Sequence, residues 1–276
     1  MCAMRLGVAV WLTDTGVEIT ELARIVEEAE LESLFLTEHS HVPASRIDLV
    51  AGDRPGEDAR LLDQFTALGA AAACTSRLRL GTGICIVPQH DPIALAKQVA
   101  TIDHISGGRF LFGVGAGWLV EELRNHGVDP ATRWALMEEQ LLAMKAIWTA
   151  DEAEFHGQLV DFDPIWCWPK PVQKPHPPLL VGGDSARSLQ LAALHGDAWG
   201  PVVDDLGEFE RGLAEWRGLR GDAGIEQGDV TVFAVDLDGS RLARFAELGV
   251  SRIVVQVPID DADLLRRRLD DLVTLA

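Results

Sequence analysis

Glu38 and His39 form an adjacent carboxylate–imidazole pair directly after an apolar run, Leu34-Phe35-Leu36. An imidazole titrates near neutrality, so such a pair can move a proton at pH 7, with His39 carrying it and Glu38 setting its orientation or charge. A histidine that caps a loop or bonds a carbonyl fits the same position. A second candidate is Val181-Gly182-Gly183-Asp184-Ser185, which opens a helix at Ala186. Bare backbone N–H groups at a helix amino end hold phosphate well. Plain capping by Asp184 or Ser185 fits equally, and the Asp184 carboxylate would repel a phosphate unless turned away. Two glycine-rich segments, Gly81-Thr82-Gly83 and Gly113-Val114-Gly115-Ala116-Gly117, would let a flat ring lie against bare backbone, or would simply make tight turns. The GxSxG elbow of a serine hydrolase is absent. His39, His41 and His90 show neither HxxxH spacing on a helix nor a third carboxylate in register, so no metal site is expected.

These residues need elements to hold them, and the chain alternates short apolar runs with helix-periodic segments from end to end. Strands are expected at 5–12, 33–37, 78–86, 109–115, 178–182, 197–201, 231–236 and 252–257. Helices are expected at 17–30, 59–76, 92–106, 131–150, 185–195, 205–219, 239–248 and 261–274. Strict alternation over eight units predicts an α/β fold, a (β/α)8 TIM barrel in one domain over residues 1–276. Runs such as Ile253-Val254-Val255 are apolar throughout, as strands buried on both faces should be. A doubly wound open sheet is disfavoured, because GxGxxG would require glycine where the chain has Trp118. The clearest unit is 78–118. There, Asp91-Pro92 starts a helix that would bury Leu95, Val99, Ile102 and Ile105, and Gly107-Gly108 stops it. Trp134, Met137, Leu141 and Met144 read as core. In a barrel, ligands sit at the carboxyl ends of the strands, where all three candidate segments fall. Two insertions are too long to be mere links: 38–58, with His39, His41, Arg46 and Arg54, and the proline-rich strap 151–178 after the fourth helix.

The chain has 276 residues, 47% of them hydrophobic, ample for one large core. A formal charge of −19 argues against nucleic acid and anionic membrane surfaces as partners. Any anionic cofactor would have to be held locally against that field. Four cysteines without CxxC spacing read as reduced, structural thiols in a cytoplasmic protein. The apolar run 6–12 is too short to span a membrane and reads as the first strand.

Over RLGTGI, PQHDPIALAKQVATIDHISGGRF, GVGAGW, NHGVDPATRW and EFHG, the chain resembles the luciferase-like monooxygenase superfamily, essentially from Met4 to the last helix. Within it, the chain resembles the group assigned to the deazaflavin coenzyme F420. The resemblance implies a ring system across the barrel mouth, braced by a non-proline cis peptide at Gly83-Ile84. Trp11, Thr82, Gly83, Ile84, Gly115, Ala116, Gly117 and Trp118 would then line the ring and its side chain. Gly182, Gly183, Asp184 and Ser185 would cradle the phosphate, and His39, with Glu38, would stand beside the reactive face. It implies a hydride-transferring oxidoreductase acting on a small-molecule substrate, and a homodimer. Some relatives carry a glutamate acid where this chain has Trp118, so that proton donor is missing, and Leu119 would make the rim more apolar. Trp11 and Trp118, with Trp166 or Trp168, would frame a pocket for a flat or apolar substrate, and the strap would cover one side of the mouth. Two alternatives remain: an FMN-dependent, oxygen-using monooxygenase and a non-catalytic flavin-binding protein.

Overall fold

Strand pairing runs in one parallel circuit. In the computed structural model, which describes residues 4–46, 50–51, 54–55 and 60–275, the strands are β1 (Arg5–Val10), β2 (Ser33–Leu36), β3 (Arg79–Thr82), β4 (Phe110–Gly115), β5 (Leu179–Gly182), β6 (Ala198–Gly200), β7 (Asp229–Ala234) and β8 (Arg252–Gln256). Each pairs with the next, and β8 pairs with β1, closing an eight-stranded (β/α)8 barrel. Inward-pointing Ala9, Phe35, Leu111, Leu180, Ala198 and Val254 form a cluster with Phe233, so the barrel is a filled core. Large and small residues interlock there: a Cβ on Gly81 would lie 2.3 Å from the Phe35 ring. A larger apolar cluster joins the outer strand faces to the helices.

The helices are α1 (Ile19–Glu28), α2 (Gln64–Cys74), α3 (Pro92–Ser106), α4 (Val120–Asn125), α5 (Arg133–Thr149), α6 (Ala186–His195), α7 (Leu206–Asp222), α8 (Gly239–Glu247) and α9 (Ala262–Leu275). Short polar side chains start most of them. Asp63, Asp91, Ser185, Asp205 and Asp238 each accept a backbone N–H of their own first turn, and Asp261 accepts one from Leu264. The helix α3 has the expected limits, with Gly107 in the left-handed region at φ 64° ending it. Its inner face differs: Leu95, Val99 and Ile102 are buried, but Ile105 is 49% exposed and Ser106 turns inward. Two successive steps of three, from Val99 to Ile102 to Ile105, drift off a 3.6-residue face, so the position four after Ile102 takes the inner place.

Three other expectations need correction. The third strand breaks into Arg79–Thr82 and Cys85–Ile86, while the Gly83–Ile84 bond between them is cis as expected. The short helix α4 was not foreseen. The strap contains an antiparallel hairpin, Ala153–His156 with Asp161–Ile165, and does not cover the mouth. It clamps the outside of the barrel, with Lys97 Nζ donating to Trp168 O, His104 Nε2 to Lys170 O at 2.7 Å, and Lys170 Nζ to Ile147 O at 2.6 Å. Trp166 and Trp168 stand exposed on that outer face and do not line the cavity at the mouth. Cys2 and most of 47–59 lie outside the described residues, while Cys74, Cys85 and Cys167 are free thiols. Among the described residues no helix is long and apolar enough to cross a membrane.

Candidate functional site

A cavity of about 500 Å³ opens at the carboxyl ends of the strands. Its floor is backbone and aliphatic: Gly83, Ile84, Gly115, Gly182, Gly183 and Gly200, with Phe233 below. Trp11, Trp118 and Trp134 form its walls, and Thr37 and Gln256 supply polar side chains. Among the described residues no charged side chain lines it. Met137, Leu141 and Met144 are buried in the core, and Trp134 packs against that core while also reaching the cavity wall. Of the expected ring-lining residues, Trp11, Gly83, Ile84, Gly115, Ala116, Gly117 and Trp118 do meet here.

Thr82 does not. Its side chain is fully buried in the barrel wall and donates to Gly113 O at 2.6 Å, because strand alternation turns it away from the mouth. The expected phosphate segment divides. Gly182 and Gly183 line the cavity, with Gly183 at φ 102° and its carbonyl accepting from Trp199 Nε1 at 2.7 Å. Asp184 turns into a neighbouring cleft beside Asp204, Asp205 and Glu208, and Ser185 is occupied as the cap of α6. Leu119 is 1% exposed and packs inward, so it contributes nothing to the rim.

A smaller lobe of about 170 Å³ adjoins the main cavity across Thr37, Gly83, Ile84 and Trp118, and adds Glu38 and His39. The two do not act as a pair. Glu38 faces the other way, accepting from Ile86 N at 2.5 Å and meeting His90 Nε2 at 2.9 Å. Burial depresses His90, but the bond and charge of Glu38 outweigh it and hold the imidazole above its ordinary value. Beside them, burial and the Glu38 charge push the Cys85 thiol well up, so it stays protonated.

The partner of His39 is Glu122, which sequence reasoning missed. His39 Nδ1 lies 2.8 Å from Glu122 Oε2, and the Glu122 side chain is 0% exposed. Its other oxygen accepts from Ser40 N at 2.8 Å and Ser40 Oγ at 3.1 Å. Burial pushes this carboxyl up, yet the His39 and Ser40 bonds prevail and hold it below the ordinary carboxylate value. An ionised carboxylate only accepts, so the proton in the bond to Glu122 sits on His39 Nδ1. The imidazole stands edge-on to Trp118 with ring centroids 5.7 Å apart, and Arg46 stacks over the same indole. Around Ser40 the network extends to His41 and His126, which is held below its ordinary value first by burial and then by the His41 charge.

This grouping follows from the topology. β2 and β4 both flank β3, whose regular pairing stops at Thr82. The segments leaving β2 and β4 therefore meet above it, bringing together residues 83 apart in sequence. The only sequence signal was the acidic pair Glu121-Glu122 behind GVGAGW, which looks like ordinary first-turn acid of a helix.

Comparison with known proteins agrees with this architecture. The profile of the luciferase-like monooxygenases matches residues 5–235. An uncharacterized protein of Mycobacterium tuberculosis is 38% identical over 270 residues, 94% of each chain. An FMNH(2)-dependent dimethylsulfone monooxygenase of Pseudomonas putida is 36% identical over 134 residues, 48% of this chain and 37% of that one. An F420-dependent secondary alcohol dehydrogenase, solved with an F420–acetone adduct, superposes with a TM-score of 0.82 at 16% identity, covering 99% of this chain and 98% of that one.

Proposed function

Because the chain belongs to the luciferase-like monooxygenase family of flavin- or F420-dependent oxidoreductases, we propose that it transfers a hydride between coenzyme F420 and a small, uncharged organic substrate. The observation that carries this reading is a single oriented imidazole, His39, at the edge of a cavity with no charged side chain of its own. The cavity suits a large planar group: bare glycine backbone floors it, three indoles wall it, and a Cβ on Gly115 would already collide with Ile84 Cδ1 at 2.2 Å. Bound there, F420 would supply the carbon that exchanges hydride with the substrate. The chain's own part is to orient and to manage a proton. Gly83, Ile84, Gly115 and Gly117 brace the ring, Gly182 and Gly183 leave room for the phosphate by lacking side chains, and Trp11, Trp118 and Trp134 exclude water. His39 accepts or returns the substrate proton at Nε2, and Glu122 stabilises the imidazolium that forms. A wall without charge selects neutral molecules, since an ionised substrate would be desolvated without a counter-charge.

The FMN-dependent monooxygenase reading draws on the Pseudomonas putida relative. Anaerobic titration with each cofactor, followed by fluorescence and thermal shift, separates the two. Cofactor at 100 times its dissociation constant stabilises by about 2.7 kcal/mol. Tight FMN binding with none for F420 would overturn the proposal. His39→Ala should slow hydride transfer far more than it weakens cofactor binding. Equal loss of both would reduce His39 to a binding residue.

A further inference from the structure

We propose that the mouth rim carries a site for one transition-metal dication of the zinc class, with His41, Glu122 and His126 as ligands. Ser40 Oγ lies 2.9 Å from His41 Nδ1, 2.7 Å from His126 Nε2 and 3.1 Å from Glu122 Oε1. Donor atoms of three residues thus surround one point, and all lie within 4.8 Å of one another. Two imidazoles and a carboxylate, with a fourth position left open, are a ligand set that zinc takes at about 2.0–2.2 Å. The present spacing around the hydroxyl exceeds that by less than about 1 Å. Ser40 is exposed on a loop, so its side chain can swing aside or serve as the fourth ligand.

The scaffold fits such a site in three ways. Glu122 and His126 are four residues apart at α4 and its carboxyl end, on one helical face. An outer partner orients one ligand: Glu122 Oε2 is tied to His39 Nδ1 at 2.8 Å. Exposed His126 leaves a way in from solvent, and the chain's −19 charge favours a cation. The other His/Cys/carboxylate group among the described residues, Glu38–Cys85–His90, is less suited. Its thiol is buried and held protonated, and none of its three residues is exposed as His126 is. The rim site was invisible in the sequence because two of its ligands lie on or just after the short helix α4. The site shares Glu122 with the His39 pair, and its metal titration is read without any hydride transfer.

The experiment uses untagged full-length protein stripped with chelator. Zn²⁺ is titrated by calorimetry and Co²⁺ by its visible absorption. Expected is one ion per chain, with the intense visible bands of low-coordinate Co²⁺. His41→Ala and His126→Ala should each weaken binding at least about tenfold, and His90→Ala should leave it unchanged. A wild-type chain that shows neither Zn²⁺ heat nor the Co²⁺ bands overturns the proposal. Binding that survives in the His41→Ala/His126→Ala double variant overturns it as well, as does binding lost in His90→Ala with the rim histidines intact.

Discussion

Replacing Glu122 by glutamine should invert the tautomer of His39. Ser40 N–H donates to Glu122 Oε1 at 2.8 Å and demands an oxygen there. The glutamine carbonyl must therefore take that place, which leaves the amide NH₂ facing His39 Nδ1. An NH₂ group donates, so Nδ1 must become the acceptor and the proton must move to Nε2, the nitrogen that faces the lobe. The side chain is fully buried and accepts bonds from His39 and from both the N–H and the hydroxyl of Ser40. Hydrogen bonds to a charged group are worth about 1.5–3 kcal/mol and neutral ones about 0.5–1.5, so the two Ser40 bonds and the His39 bond each weaken by about 1 kcal/mol. Relief of carboxylate desolvation offsets part of this, giving a net loss of about 1–3 kcal/mol. The midpoint of thermal unfolding should then fall by about 2–4 °C for each kcal/mol. Removing a correctly protonated general base should cost about 10²–10⁴ in turnover, assayed with a panel of small alcohols and ketones. Long-range nitrogen–proton NMR of labelled histidine reads the tautomer directly and needs no substrate. A His39 that keeps Nδ1–H in the variant would refute the reasoning. So would an inverted His39 that turns over at the wild-type rate.

Four other outcomes follow from the same geometry. Thr82→Val removes the buried donor to Gly113 O and should cost about 1–2 kcal/mol in denaturant unfolding with no change in cofactor affinity; weaker affinity at unchanged stability would return Thr82 to the site. Gly113→Ala would place a Cβ 2.0 Å from the Thr82 carbonyl, where backbone cannot yield, and should abolish soluble expression, whereas Gly69→Ala meets nothing within 4 Å and should stabilise α2 by about 0.5–1 kcal/mol. Burial pushes Glu32 up, but the fork of Arg252, bonded at 2.7 Å through two nitrogens, holds its carboxyl below the ordinary 4.5. That pair therefore stabilises the fold above this pH and ceases to as pH falls below it, so Glu32→Gln should flatten the acid limb of a melting-temperature profile.

The barrel was legible because its strands are buried on both faces and its helices carry explicit punctuation. Asp91-Pro92 and Gly107 bound α3 to the residue, and the expected 131–150 needed only small trimming to Arg133–Thr149. Six residues of α4 hold less than two turns, too few for a periodic pattern to register. The hairpin within the strap was hidden by its prolines, since Pro164 sits inside one of its strands. Site residues contributed by backbone position, such as Gly83 and Gly115, followed from the strand ends. Glu38 was misassigned because adjacency in an extended segment points neighbouring side chains to opposite sides. His39 and Glu122 meet only through closure of the sheet, which no local pattern encodes.

The capping carboxylates of the helices have a consequence for the approach of ligands. Helices in this barrel begin at the mouth, so Asp63, Asp91, Asp205, Asp238 and Asp261 stand as a ring of anionic charge around it. Each is locally balanced by its own helix terminus, but at distance the ring adds to the field of a chain carrying −19. On the proposed function, a phosphate-bearing cofactor would diffuse through that repulsion to reach the glycine floor. Its association rate should therefore rise with added salt as the screening length shrinks from about 30 Å at 0.01 M to about 8 Å at 0.15 M. Stopped-flow binding would show it as a positive slope against ionic strength, and a neutral substrate should show none.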